Sequence, residues 1–241
     1  MKCVIDAKGL DCAALNERLR RAEGRIEISG CLGQRFLAAG MSGKTIAISG
    51  VPGNALGAYL NGGEIRVRGN AQDAVGDTMN DGRIVVEGNI GDTAGYAMRG
   101  GKIYVRGNAG YRAGIHMKAY GDRVPVMIVG GKAGSFLGEY QAGGIIAVLG
   151  IGCPDRPIVG SFPCTGMHGG QLFLRSDCKG VVFPDQVSVG RATERDLARL
   201  QPYLAEYCAL FGLDEAGILD AAFVVVTPDT GNPYKQMYVA N

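Results

Sequence analysis

Tryptophan is absent from this 241-residue chain, and His116 and His168 are its only histidines. A structural zinc site needs about four nitrogen or sulfur ligands, usually in close-spaced pairs. No Cys-x-x-Cys and no His-x-x-x-His occurs, so no metal site is expected. Charge of either sign is not in excess. The net value of +2 implies no bulk attraction to nucleic acid or to a membrane surface. Long apolar runs are missing too. The longest, Ala142–Cys153, is short and glycine-rich, whereas a bilayer span needs about 20 residues. The opening Met1–Asp6 lacks an apolar signal region. The seven cysteines are odd in number and scattered, which favours reduced thiols and a cytoplasmic protein. No nucleophile elbow, dinucleotide-binding fingerprint or iron–sulfur cysteine run is found.

Glycine, by contrast, is abundant, at 40 residues. No strict Gly-X-Y triplet is present, which excludes collagen. Instead the glycines mark a period of 19 residues: Gly69, Gly88 and Gly107 are so spaced, as are Gly76, Gly95 and Gly114. A fixed short period signals one structural unit stacked many times. Each unit begins with an alternating strand (Ile65/Val67, Ile84/Val86, Ile103/Val105), turns at Gly-Asn, passes through small residues and closes on Gly-Gly. Upstream, Ile26/Ile28 and Ile46/Ile48 fit the frame. Downstream, the pairs are read as Val126/Ile128, Ile146/Val148 and Leu172/Leu174.

This gives eight strands and seven intervals, two of them stretched: 23 residues from Gly107 to Gly130, and 26 from Ile146 to Leu172. The excess is expected to bulge out as loops at His116–Arg123 and Ile151–Thr165. The unit is too short for a strand plus a helix and has no helical periodicity. The predicted fold is therefore an all-β parallel β-helix of about seven coils of ~19 residues. Glycine is expected at the sharp turns, and Asn70, Asn89 and Asn108 are expected to stack as a left-handed corner ladder.

One outward column reads Glu27, Ala47, Arg66, Val85, Tyr104, Met127, Ala147, Phe173. In a flanking column Arg68, Glu87 and Arg106 give way to Val129 and Leu149. The outside thus turns from charged to apolar along the stack, which predicts a cover over the later coils: first the chain's own C-terminal part, and second a partner protein. Residues 1–24 read as a strand and a capping helix with Asp11 as N-cap. Residues 192–220 read as helical, with a capping box at Thr193/Asp196, a kink at Pro202 and a C-cap at Gly212. A strand-like run Phe223–Thr227 precedes a polar tail expected to lie extended on a surface. The resulting division is 1–24, strand-helix cap; 25–176, β-helix; 177–241, helical region and tail.

Several motifs lack the context that their chemistry requires. Ala38–Thr45 matches a relaxed phosphate-loop pattern, but it leads into a repeat strand where the true motif opens a helix. Cys164 and His168 form a close pair without a second one, so both histidines read as loop or interface residues. Asp73, Asp77, Asp81, Asp92 and Glu139 are spread over several columns and read as solvated turn residues. Catalytic, cofactor-binding and metal residues are accordingly all expected to be none.

The glycine punctuation resembles the GXGXG domain that ends the large subunit of glutamate synthase, in the free-standing form of archaeal-type glutamate synthases. The resemblance is carried by Gly76–Gly82, Gly91–Gly101, Gly110–Tyr120, Phe136–Gly144 and Gly166–Gly170, and covers roughly residues 3–215. It implies a right-handed parallel β-helix without catalytic residues. Such a subunit braces a glutaminase-type amidotransferase against an FMN and iron–sulfur synthase that forms glutamate from glutamine and 2-oxoglutarate. FMN and the iron–sulfur cluster would then reside in a partner, and this chain would bind neither; it could also self-associate. Cys3, in a strand-like run, does not match the glutaminase nucleophile. The C subunit of formylmethanofuran dehydrogenase or of the formyltransferase/hydrolase complex shares the motif and stands as the alternative, with N-methylglutamate synthase a close variant. The segment Gly114–Tyr120 and the C-terminal helical region favour the glutamate synthase side.

Overall fold

In a computed structural model that describes residues 2–153 and 157–229, the alternating segments become rungs of one sheet. Along the chain they are β1 (Lys2–Asp6), α1 (Cys12–Arg21), β2 (Arg25–Leu32), β3 (Lys44–Val51), β4 (Asn61–Val67), β5 (Asp81–Val86), β6 (Lys102–Val105), β7 (Val126–Val129), β8 (Ala142–Val148) and β9 (Gly169–Leu174). Then follow β10 (Val187–Arg191), α2 (Glu194–Phe211), α3 (Glu215–Leu219) and β11 (Val224–Pro228). Strands β1 to β9 pair parallel in sequence order, which is the signature of a β-solenoid. The Lys2–Asp6 strand adds a rung to the eight expected, so the stack makes about eight turns instead of seven.

The interior is a pile of identical layers. Ile26, Ile46, Ile65, Ile84 and Ile103 stack in register, and Ile28, Ile48, Val67, Val86 and Val105 form a second column. Burial of each such side chain contributes about 1.5–3 kcal/mol. One inferred register is corrected. Ile103 pairs with Met127 and Val105 with Val129, so Met127 and Val129 point inward, while Val126 and Ile128 face outward. The cause is the pair Gly130–Gly131. The frame is set by Gly131, which donates to the Gly107 carbonyl, making the interval 24 residues. A slip of one residue exchanges the two faces of a strand.

Both loops are shorter than expected. His116 and Lys118 continue the regular coil, and the insertion is Tyr120–Val124, closed by reciprocal Tyr120 and Arg123 backbone bonds of 3.1 Å. Phe162–Thr165 is likewise regular, with Ala133 bridging Val159, so the second insertion begins at Ile151 and ends at Pro157. Its residues 154–156 lie outside the described residues.

Opposite the strands, each coil makes a turned segment whose left-handed residues are mostly not glycine. Ala55, Gly57 and Tyr59 have φ of 63°, 64° and 57°, and Arg112, Gly114 and His116 have 55°, 71° and 55°. Alternate amides point up and down the stack: Ala55 N–H and Tyr59 N–H donate to Asp73 and Asp77 of the next coil, while Gly57 N–H donates back to Leu37. These ladder bonds offset the usual cost of about 1–3 kcal/mol for such a backbone. Asn70, Asn89 and Asn108 do stack, each Oδ1 accepting from the next coil at 2.8 Å, but from right-handed or extended backbone. Their amide-to-carbonyl bonding fixes them, and left-handed geometry is not required.

Both ends of the pile are sealed. Helix α1, N-capped by Asp11, buries Leu15 and Leu19 against the first coils. There the first turned segment has no preceding carbonyl, and Asn16 Oδ1 accepts the Ala38 N–H at 3.0 Å instead. At the other end Cys178, Val181 and Phe183 pack on the interior, and β11 and β10 close the sheet antiparallel. Helix α2 carries the expected capping box and a left-handed Gly212, and runs through Pro202 to Phe211. The tail beyond residue 229 lies outside the described residues.

Candidate interaction surface

The outer face of the sheet is covered by the chain itself, over the later coils. Tyr104, Ile128, Ala147 and Phe173 of the strands pack with Leu200, Leu204 and Tyr207 of α2 and Ile218 of α3. Tyr207 meets Tyr104 edge to face at 6.0 Å and donates its hydroxyl to the Val105 carbonyl at 3.1 Å. Gly130 makes room for that hydroxyl, since a Cβ there would overlap it.

An ionic clamp holds the same helix at the edge of the apolar patch. Strand stacking sets Arg83 beside Lys102 on adjacent rungs. Like charges in register repel, and Glu206 of α2 resolves this by accepting from both, at 2.5 Å from Lys102, and from the Tyr104 hydroxyl at 2.9 Å. Arg83 also pairs with Glu64. Burial alone would raise the Glu206 carboxyl, but hydrogen bonds from Lys102, Arg83 and Tyr104 hold it below the usual value. Around the clamp is an open recess of about 430 Å³, lined also by Thr45 and Asp81.

The turned face is different: it presents aromatic side chains to solvent. Tyr96, His116 and Tyr140 stand on successive coils, with His116 edge to face with Tyr96 at 5.8 Å and stacked on Tyr140 at 5.1 Å and 9°. The Tyr140 ring lies over Gly166, where a Cβ would overlap it. Beside this row Arg112 sits over Phe136 at 5.0 Å, Phe136 stacks on Phe162 at 5.3 Å, and Glu139 accepts from Arg112 at 2.9 Å. Tyr59, Tyr111 and Phe162 are each more than half exposed. Clusters of exposed aromatic rings are characteristic of interaction surfaces.

The residues singled out in the sequence fall apart in space. Cys164 is inside the solenoid, where burial pushes its thiol up to about 12. His168 is half-buried, with Nδ1 3.0 Å from the Gly166 carbonyl. Asp73 and Asp92 are ladder residues, their Oδ1 atoms accepting from Asp92 N–H and Tyr111 N–H at 2.9 and 2.8 Å. Lys44 donates to the Arg20 and Ala22 carbonyls at the end of α1. Among the described residues, no group of three or more His, Cys, Asp or Glu side chains could hold a metal, and no helix is long and apolar enough to cross a membrane. The aromatic row escaped the sequence reading because its members are unlike one another. Aligning the chain on the 19-residue period places Tyr59 and His116 in one column, and Tyr140 joins it only once the five-residue insertion at Tyr120–Val124 is counted.

Comparison with known proteins adds three findings. The family pattern described as "GXGXG motif" matches residues 13–229. "Uncharacterized protein MJ1350" of Methanocaldococcus jannaschii is 42% identical, over 98% of this chain and 95% of that protein. Among solved structures, a chain of the formyltransferase/hydrolase complex (FhcABCD) from Methylorubrum extorquens, crystallised with methylofuran, superposes with a TM-score of 0.58. It shares 20% identity, with 92% of each chain covered, so the likeness is one of fold.

Proposed function

The chain belongs to the GXGXG family, and from that premise we propose that it is a non-catalytic scaffold subunit of a glutamate synthase-type complex. It braces a glutaminase-type amidotransferase against a synthase that carries FMN and an iron–sulfur cluster, in the cytoplasm. The observation that carries this reading is the turned face. A solenoid fixes side chains at constant spacing, and this one uses that rigidity to display a row of aromatics to solvent. Rigid aromatic anchors suit protein docking, because little conformational freedom is lost on binding.

The second reading, a subunit of a formyltransferase/hydrolase-type complex, is favoured by the superposition over 92% of both chains. Purification of the tagged chain from its native cell separates the two. Co-purifying glutaminase-like and flavin-containing iron–sulfur polypeptides support the first reading. A metal-dependent amidohydrolase and a formyltransferase support the second. A chain isolated alone contradicts both.

A further inference from the structure

The turned face carries a second pair of stacked cations. Arg99 and Lys118 occupy equivalent positions on adjacent coils, their amides donating to the Met79 and Met98 carbonyls of the coils before. Their backbones are therefore one rung apart, about 4.8 Å. On the sheet face the same arrangement, Arg83 beside Lys102, is bridged by Glu206. Among the described residues no carboxylate comes within ion-pair distance of Arg99 or Lys118. Both are exposed, and with His116 and Tyr120 they line a recess of about 410 Å³ that contains no acidic residue. In the adjoining insertion, Asp122 and Arg123 balance each other in charge.

We propose that this recess receives an Asp or Glu side chain of a partner polypeptide, which bridges Arg99 and Lys118 as Glu206 bridges Arg83 and Lys102. The inference rests on the reading of the chain as a subunit of a complex and deepens it by naming the anchor. Three features fit the occupant. Two uncompensated cations one rung apart match a single carboxylate. The adjacent Tyr96–His116–Tyr140 row supplies apolar surface for the residues flanking it. And the recess shares His116 with that row, so the two make one surface for a partner.

The test uses the complex purified from the native cell and a water-soluble carbodiimide, which joins a lysine amine directly to a neighbouring carboxylate. Mass spectrometry is expected to find Lys118 linked to an Asp or Glu of a different polypeptide. R99E/K118E and the neutral R99Q/K118Q, each checked by circular dichroism, are expected to weaken retention of that polypeptide about tenfold or more. Charge reversal of the cross-linked acid is expected to restore binding to R99E/K118E. A linkage to a second copy of this chain, or folded variants that retain every partner, would overturn the proposal while leaving the scaffold reading standing. A chain that purifies alone would overturn both.

Discussion

The two long faces of the solenoid solve the same problem in opposite ways. Both stack like side chains in register because the coils are nearly identical, and both set two cations side by side. On the sheet face the chain folds back: α2 lays Leu200, Leu204 and Tyr207 over the later strands and inserts Glu206 between Arg83 and Lys102. On the turned face nothing among the described residues does this for Arg99 and Lys118, or covers Tyr96, His116 and Tyr140. A repeat creates apolar and charged columns wherever it runs, and among the described residues the chain covers those of the later sheet face and leaves those of the turned face open.

The most damaging way to break the comparison is to disrupt the coil that both faces share. Gly114 has φ 71°, and a Cβ there would overlap Ile146 Cδ1. Gly114→Val is expected to cost about 4 kcal/mol, by left-handed strain and overpacking, and thermal unfolding will read it. Stripping the cover is next. Tyr207→Ala removes a fully buried ring and its bond to Val105, at about 3 kcal/mol. Chemical denaturation should show α2 loosened.

Glu206→Gln leaves Arg83 and Lys102 unbridged and is expected to cost about 1–2 kcal/mol, reduced by partial exposure to solvent. Its pH dependence follows from the sign of the shift. The Glu206 carboxyl is lowered in the folded protein, so its contribution is complete at neutral pH. It fades as pH falls below the ordinary carboxylate value of about 4.3, and is gone below the lowered native one. An acid titration of stability should therefore be shallower in Glu206→Gln than in the wild type.

What the sequence conveyed about the fold came from repetition, and its errors came where repetition is marked by glycine alone. The period placed the interior columns from Ile26 to Ile103 and the apolar later face. At Gly130–Gly131 two adjacent glycines fit one slot, and the wrong choice turned Met127 outward. At His116 and Phe162 a non-glycine residue holds a left-handed position, so the regular coil continued unmarked into what read as loops. The candidate site was less legible. Glu206 lies more than 100 residues from Lys102 and Tyr104 in sequence, and no local pattern links them. Arg99 and Lys118 lie one period apart, but their lack of a counter-charge is a property of space.

A gentler perturbation sharpens the contrast between inside and outside. Gln141 is fully buried in a column otherwise held by Met79, Met98, Met117 and Met167, and its Oε1 has no partner among the described residues. Its Nε2 donates to the Gly143 and Gly144 carbonyls at 3.2 Å, so Gln141→Met removes the orphaned oxygen and both donated bonds together and is expected to shift stability by no more than about 1 kcal/mol in a thermal melt. Smallest of all, His116→Ala on the turned face loses only the partly exposed ring contacts with Tyr96 and Tyr140 and should lower stability by about 0.5 kcal/mol in the same melt.

The central claim is that the turned face is where this subunit meets its partners. Hydroxyl-radical footprinting of the isolated chain against the complex from its native cell tests it most directly. The account predicts that Tyr96, His116 and Tyr140 lose reactivity in the complex, while exposed side chains elsewhere, such as Leu32 and Val4, keep theirs. Equal labelling of the aromatic row in both states would contradict it.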